Sequence, residues 1–189
     1  MDSEKKKRNK GIGILLKMVL MCSLPMVILE VIITLYSMNA LQDGMQSEAF
    51  NGLGDLCQAV EAAYDAVDSG EYHMEGELLY KGESCVTENV DVIDSFTKDS
   101  DVSVTLFYGD TRGATSLIDK ETGKRIVGTK ASDAVISAVL QKGEVYQTDS
   151  IVVNGENYYA YYKPVEDDSG NIVGMVFAGR PSKDVDAII

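Results

Sequence analysis

Residues 18–36 are apolar apart from Ser23, Pro25, Glu30 and Thr34, and Glu30 is their one charge. The wider run 12–36, IGILLKMVLMCSLPMVILEVIITLY, is long enough for a helix across a hydrocarbon core, which takes about 20 residues. Over 38–67 the pattern changes to steps of three and four: Leu41, Met45, Ala49, Leu53, Leu56, Val60, Ala63 with Tyr64, and Val67. That spacing marks one face of a helix. Gly44, Gly52 and Gly54 weaken it by about 1 kcal/mol each relative to Ala. With no Pro and no long polar linker between the two stretches, one long, nearly continuous helix is predicted, ended by Asp68-Ser69-Gly70.

Beyond it the elements are short. Residues 77–81 read as a strand, and Thr87-Glu88-Asn89 opens an amphipathic helix with Val90, Ile93 and Phe96 on one side. Residues 101–108 alternate Val102, Val104, Leu106 and Tyr108 on one face, and Gly109-Asp110 is a turn signal. A short strand at 114–118, a hairpin loop at 119–123 and a return strand at 124–127 follow. A helix at 131–140 is entered through Thr129 or Ser132 as cap. Strands at 143–153, 157–165 and 171–179 are joined by Asn154-Gly155 and by Asp167-Asp168-Ser169-Gly170. The pattern predicts an α+β domain, a long helix and a meandering antiparallel sheet with helices on one face.

Charge sets the direction of the first helix. Six Lys or Arg stand against three acids in residues 1–36, a net of +3, whereas the whole chain carries −13 and the remainder therefore −16. The basic cluster KKKRNK just before the apolar run keeps that end in the cytoplasm and sends the acidic remainder across the membrane. A cleaved signal peptide would have a shorter apolar core and a small-x-small site; Ser37-Met38-Asn39-Ala40 fits that poorly, so an uncleaved anchor is expected. Nor does the chain match a pilin leader, because Leu16 and Met18 stand where a Glu would follow Gly11 or Gly13. Glu30 is costly at depth, and either a helix–helix contact or the outer interface would accommodate it. The apolar stripe is longer than one small sheet covers, which points to a homodimer through the long helices. So acidic a domain has no basic face for nucleic acid.

Chemistry is sparse. His73 is the single histidine, and no Ser/His/Asp set or zinc-ligand spacing is present, so neither catalysis nor a metal or other cofactor is expected. The stretch 109–113 lacks the frame of a phosphate loop, and 167–171 lacks that of an EF-hand. Cys22 lies in the apolar segment; Cys57 and Cys85 either pair, as export would permit, or remain free thiols.

Taken in order, LYKGE (79–83), VTLFYGDTRGATS (104–116), GKRIVGTKAS (123–132), GEVY (143–146), YYAYYKPV (158–165) and GNIVGMVFAG (170–179) resemble a single Cache domain. Cache domains are PAS-like extracytoplasmic sensors, and this version is similar to those at the front of methyl-accepting chemotaxis proteins. The resemblance implies a cytoplasmic N-terminus at 1–11, a transmembrane helix at 12–36, a sensor at 37–186 and the start of a second transmembrane helix at 187–189. It implies a small-molecule ligand, a carboxylate or an amino acid, and signalling by helix displacement. The same input domain also serves sensor histidine kinases and diguanylate cyclases. A membrane-tethered structural or adhesive protein is the alternative of a different class.

In similar sensors of dicarboxylates and citrate, an Arg in an R-x-x-[ST/H] stretch holds a ligand carboxylate; here that stretch is Arg112-Gly113-Ala114-Thr115. Arg112 either does this, using its bidentate fork, or anchors a loop through a salt bridge with a neighbour such as Asp110. Those sensors carry a second Arg about where Ala160 stands, so one carboxylate on an apolar or aromatic body fits better. The expected pocket lies between the sheet and a loop over 109–132. Arg112 is its anchor, Thr115 and Tyr162 are hydroxyl donors, and Phe107 or Tyr158 is its apolar wall.

Overall fold

A computed structural model describes residues 13–153 and 155–183. The chain divides into two units, Met1–Gly44 and Met45–Ile189. Helix α1 (Ile14–Val67) supplies residues to both and contains Pro25. In the first unit its side chains are solvent-exposed, with Leu20 at 47% and Met21 at 82%. Among the described residues it is one helix long and apolar enough to cross a membrane, with a mean hydropathy of 2.4 in its most apolar window.

In the second unit the buried line of α1 is Leu53, Cys57, Val60 and Tyr64, spaced by four, three and four. Three strands follow, β1 (Tyr72–Glu75), β2 (Leu78–Lys81) and β3 (Ser84–Cys85), forming a small antiparallel sheet. Only β2 is visible in the sequence pattern, because β1 and β3 are too short to show a period. Buried Lys81 pairs with Asp65 at 2.8 Å, donates to the Gly70 carbonyl at 3.0 Å and sits 4.2 Å from the Tyr72 ring. Helix α2 (Asp91–Thr97) buries Ile93.

The main sheet contains β4 (Ser103–Tyr108), β5 (Thr111–Thr115), β6 (Tyr146–Val153), β7 (Glu156–Glu166) and β8 (Ile172–Pro181). Its order is β5-β4-β8-β7-β6, antiparallel throughout. This corrects the simple meander: β8 returns to pair with β4, the first strand, which is the PAS-like arrangement. Helices cover both faces rather than one. On one side α1 and α2 meet Val104, Leu106, Tyr159, Val176 and Ala178. On the other, α3 (Asp133–Val135) and the π-helical turn Ile136–Gln141 place Val135 and Val139 against Phe107, Tyr162, Met175 and Phe177. The alternation of β4 was legible, but both its faces are buried.

Boundaries move, among them that of the strand expected from 143, which as β6 starts at Tyr146. The strand expected at 114–118 is β5, which starts at Thr111 and so takes Arg112 out of the loop. The expected strand at 124–127 is an irregular segment with a single bridge, Ile118 to Arg125. The expected helix at 131–140 starts at Asp133 and widens to a π-helix; Ser132 is its cap position, without a side-chain hydrogen bond. Asp167 holds its turn by accepting from the backbone N–H of Ser169 and Asn171. In the hairpin at 154–155, Gly155 has φ +79°, and Asn154 lies outside the described residues.

Strand β7 is packed differently on its two faces. Tyr158, Ala160 and Tyr162 join the cluster under α3. Tyr159 meets Phe50 of α1 at 5.6 Å, and Lys163 is hydrogen-bonded to Glu61 of α1. The Tyr161 ring lies over Gly54, where a Cβ would come within 3.0 Å of it, so this helical glycine makes room for the strand.

Candidate functional site

A β-bulge determines which way Arg112 points. Thr105 pairs with Thr115 and Leu106 with Ala114, but Phe107 pairs with Arg112, so Gly113 is the extra residue. Plain alternation would put Arg112 on the α1 side with Ala114. The bulge returns it to the face of Phe107 and Thr115. Glycine is required here because a Cβ on residue 113 would lie 2.7 Å from Leu79.

The five residues singled out from the sequence, Arg112, Thr115, Phe107, Tyr158 and Tyr162, therefore share one face of the sheet. The Arg112 guanidinium lies 5.2 Å from the Phe107 ring. Its Nη1 donates to Thr129 Oγ1 at 2.7 Å, and its Nε is buried with no hydrogen-bond partner among the described residues. Burial lowers the guanidinium pKa from its usual value, with neighbouring Tyr162 opposing this. The Asp110 carboxylate pairs with Lys130 at 2.7 Å, and the side-chain contact that Arg112 makes to the loop is the one to Thr129. Lys130 and Thr111 together hold that carboxyl below its usual range.

Tyr162 lies 4.9 Å from Phe177, 6.2 Å from Tyr146 and 6.4 Å from Phe107, ring to ring. Burial pushes its phenol up to about 12, so it stays protonated and able to donate. Thr115 is fully buried; its hydroxyl lies 2.6 Å from that of Thr105 and accepts from Leu117 N–H at 3.1 Å. That hydroxyl is already engaged within the fold. Ala160 is also fully buried between Tyr158 and Tyr162.

The connection between β5 and α3 lies along the site. Arg112 N–H donates to Thr129 O and Gly128 N–H to Arg112 O, both at 2.8 Å. Arg125 holds the connection down through two bonds to Asp94 of α2, at 2.7 and 2.8 Å. Sequence reasoning missed Thr129, Tyr146 and Phe177. Phe177 carried a signal, its period-two spacing from Met175, but that spacing reads equally as core.

Elsewhere His73 stacks on Tyr80 at 5.6 Å, and no cluster of metal-ligand side chains occurs among the described residues. Cys57 and Cys85 are free thiols, so the bridge does not form. Burial pushes the Cys57 thiol up to about 12.

The family model described as single cache domain 3 matches residues 84–189. No curated protein matches the chain. Among solved structures, the chain is similar to an extracellular ligand-binding receptor from Desulfohalobium retbaense DSM5692, with 15% identity and a TM-score of 0.52. That match covers 79% of this chain and 26% of the other. It is similar also to the ligand-binding domain of the Campylobacter jejuni chemoreceptor Tlp3 in complex with 4-methylisoleucine, with 17% identity and a TM-score of 0.50. There the match covers 82% of this chain and 62% of the other. At these identities the likeness concerns the fold.

Proposed function

The chain belongs to the single cache domain 3 family, and from that premise we propose that it is the membrane-anchored, extracytoplasmic ligand-sensing part of a chemoreceptor. The ligand is a small carboxylate or amino acid with an apolar body, held between the sheet and the connection from β5 to α3. One observation carries this reading. Arg112 presents a partly buried guanidinium with an unpartnered Nε beside an aromatic cluster, and no side-chain carboxylate pairs with it among the described residues. A buried cation of this kind is stabilised by an anion. The complex of the similarly folded Tlp3 domain with 4-methylisoleucine is in keeping with that ligand class.

The two faces of β7 support the signalling half of the proposal. Its Tyr162 side belongs to the ligand face, and Tyr161 and Lys163 bear on Gly54 and Glu61 of α1. A ligand that shifts β7 therefore shifts α1, and α1 carries the apolar segment that we propose spans the membrane. Homodimerisation through α1 belongs to the same proposal.

Two measurements test it. Thermal melting of the full chain in nanodiscs against amino acids and organic acids should reveal saturable stabilisation, about 2.7 kcal/mol at a hundred times Kd. A panel that leaves the melt unchanged counts against the sensor. For orientation, an exposed cysteine introduced by Lys142→Cys in a Cys85→Ser background should react with an impermeant maleimide on intact cells. Reaction only after permeabilisation would reverse the topology.

A further inference from the structure

On the α1 side of the sheet, away from the Arg112 face, lies a cavity of about 360 Å³. One wall is α1, with Met45, Ala49, Leu53 and Leu56 lining it. These positions fall in steps of three and four and extend over about 16 Å of helix, so the space suits an elongated occupant. Val102 and Tyr159 form the sheet side, and Arg180 of β8 completes it. The cavity is mainly apolar and its size is that of small-molecule sites, typically 300–1,000 Å³.

Two charged residues line the cavity, and they differ in what they lack. Glu48 is exposed, so water satisfies its carboxylate. Arg180 is half-buried, and its Nε is fully buried with no hydrogen-bond partner among the described residues. No ion pair joins the two among the described residues. Arg180 therefore sets a guanidinium without an ion-pair partner among the described residues at the edge of a mainly apolar space, which suits an anion attached to an apolar chain.

We propose that this cavity binds a medium-chain aliphatic carboxylate, its head on Arg180 and its chain along Met45, Ala49 and Leu56. The site is independent of the one at Arg112. Gly52 lines it, and a Cβ built there meets nothing within 4 Å, so a side chain at this position has room beside the cavity. Glu48 faces the same cavity with the wrong sign for the head group, and its neutralisation should tighten binding.

The probe is sodium octanoate, titrated into the full chain in nanodiscs with empty nanodiscs as reference and 1-octanol as the uncharged control. Saturable binding of octanoate is expected, with NOEs from its chain to the Met45 methyl group. Arg180→Gln should weaken it about tenfold or more, Gly52→Phe should abolish it, and Glu48→Gln should strengthen it. The NOEs to the Met45 methyl group should persist in Arg112→Ala, which separates this site from the proposed sensing face, and their loss there would overturn the independence of the two. Octanol binding as tightly as octanoate, weakening by Glu48→Gln, or undiminished binding to Gly52→Phe would each overturn the assignment. A melt of each variant without ligand verifies folding, and the wild-type NOEs decide the matter if a variant fails to fold.

Discussion

Arg112→Ala is expected to weaken capture of the sensed carboxylate roughly 10- to 150-fold, the effect of losing about 1.5–3 kcal/mol of charge-assisted hydrogen bonding. Folding should be little affected. Among the described residues the side chain makes one hydrogen bond, to the exposed Thr129, and its removal takes a partly buried, incompletely satisfied cation out of the fold. Arg112→Lys retains the charge but not the planar fork, so it should recover only part of the affinity. Calorimetry with the best compound from the melting panel measures both. Equal affinity in wild type and Arg112→Ala would make Arg112 a structural residue and move the anchor elsewhere.

Gly174→Ala is expected to be among the most destabilising single substitutions in the domain, by about 3 kcal/mol or more, with a fall in Tm of about 10 °C. Gly174 pairs with Tyr108 where β8 lies beside β4, and a Cβ there would come within 2.0 Å of the Phe107 carbonyl oxygen. The obstacle is backbone, not a movable side chain, so β4 and β8 would have to separate. Phe107 belongs to the proposed ligand face, so on that proposal binding should weaken along with stability. Chemical denaturation compares the variants, with Gly155→Ala as a control at an exposed turn where a Cβ meets nothing within 4 Å. The control bears only the strain of its positive φ. Equal stability of Gly174→Ala and wild type would show that the strands part without cost.

Long or strongly periodic segments were legible in the sequence. The end of α1 at Val67 and the strands β4, β7 and β8 follow from steps of three and four or of two, bounded by turn residues. Sheet order was not legible, because the pairing of β4 with β8 is set by contacts between segments about seventy residues apart. The gathering of Arg112 with Phe107 and Tyr162 was anticipated through family resemblance. Its local cause was not, since alternation alone points Arg112 the other way and the bulge at Gly113 depends on a register shift that no single strand displays. The engagement of the Thr115 hydroxyl was hidden for the same reason: its partner, Thr105, lies on a neighbouring strand.

The edge position of β5 bears on how such a protein diversifies. Beyond the pairing of β5 with β4, the irregular segment containing Gly128 and Thr129 adds two backbone hydrogen bonds at Arg112. Insertions or exchanges within that segment leave the pairing of β4, β8 and β7 untouched, because none of those strands hydrogen-bonds to it as part of the sheet. On the proposed function, the selectivity of the ligand face can therefore drift without a matching change in the surface that bears on α1. New specificities would then be accessible by small steps, each inheriting the proposed route to the helix.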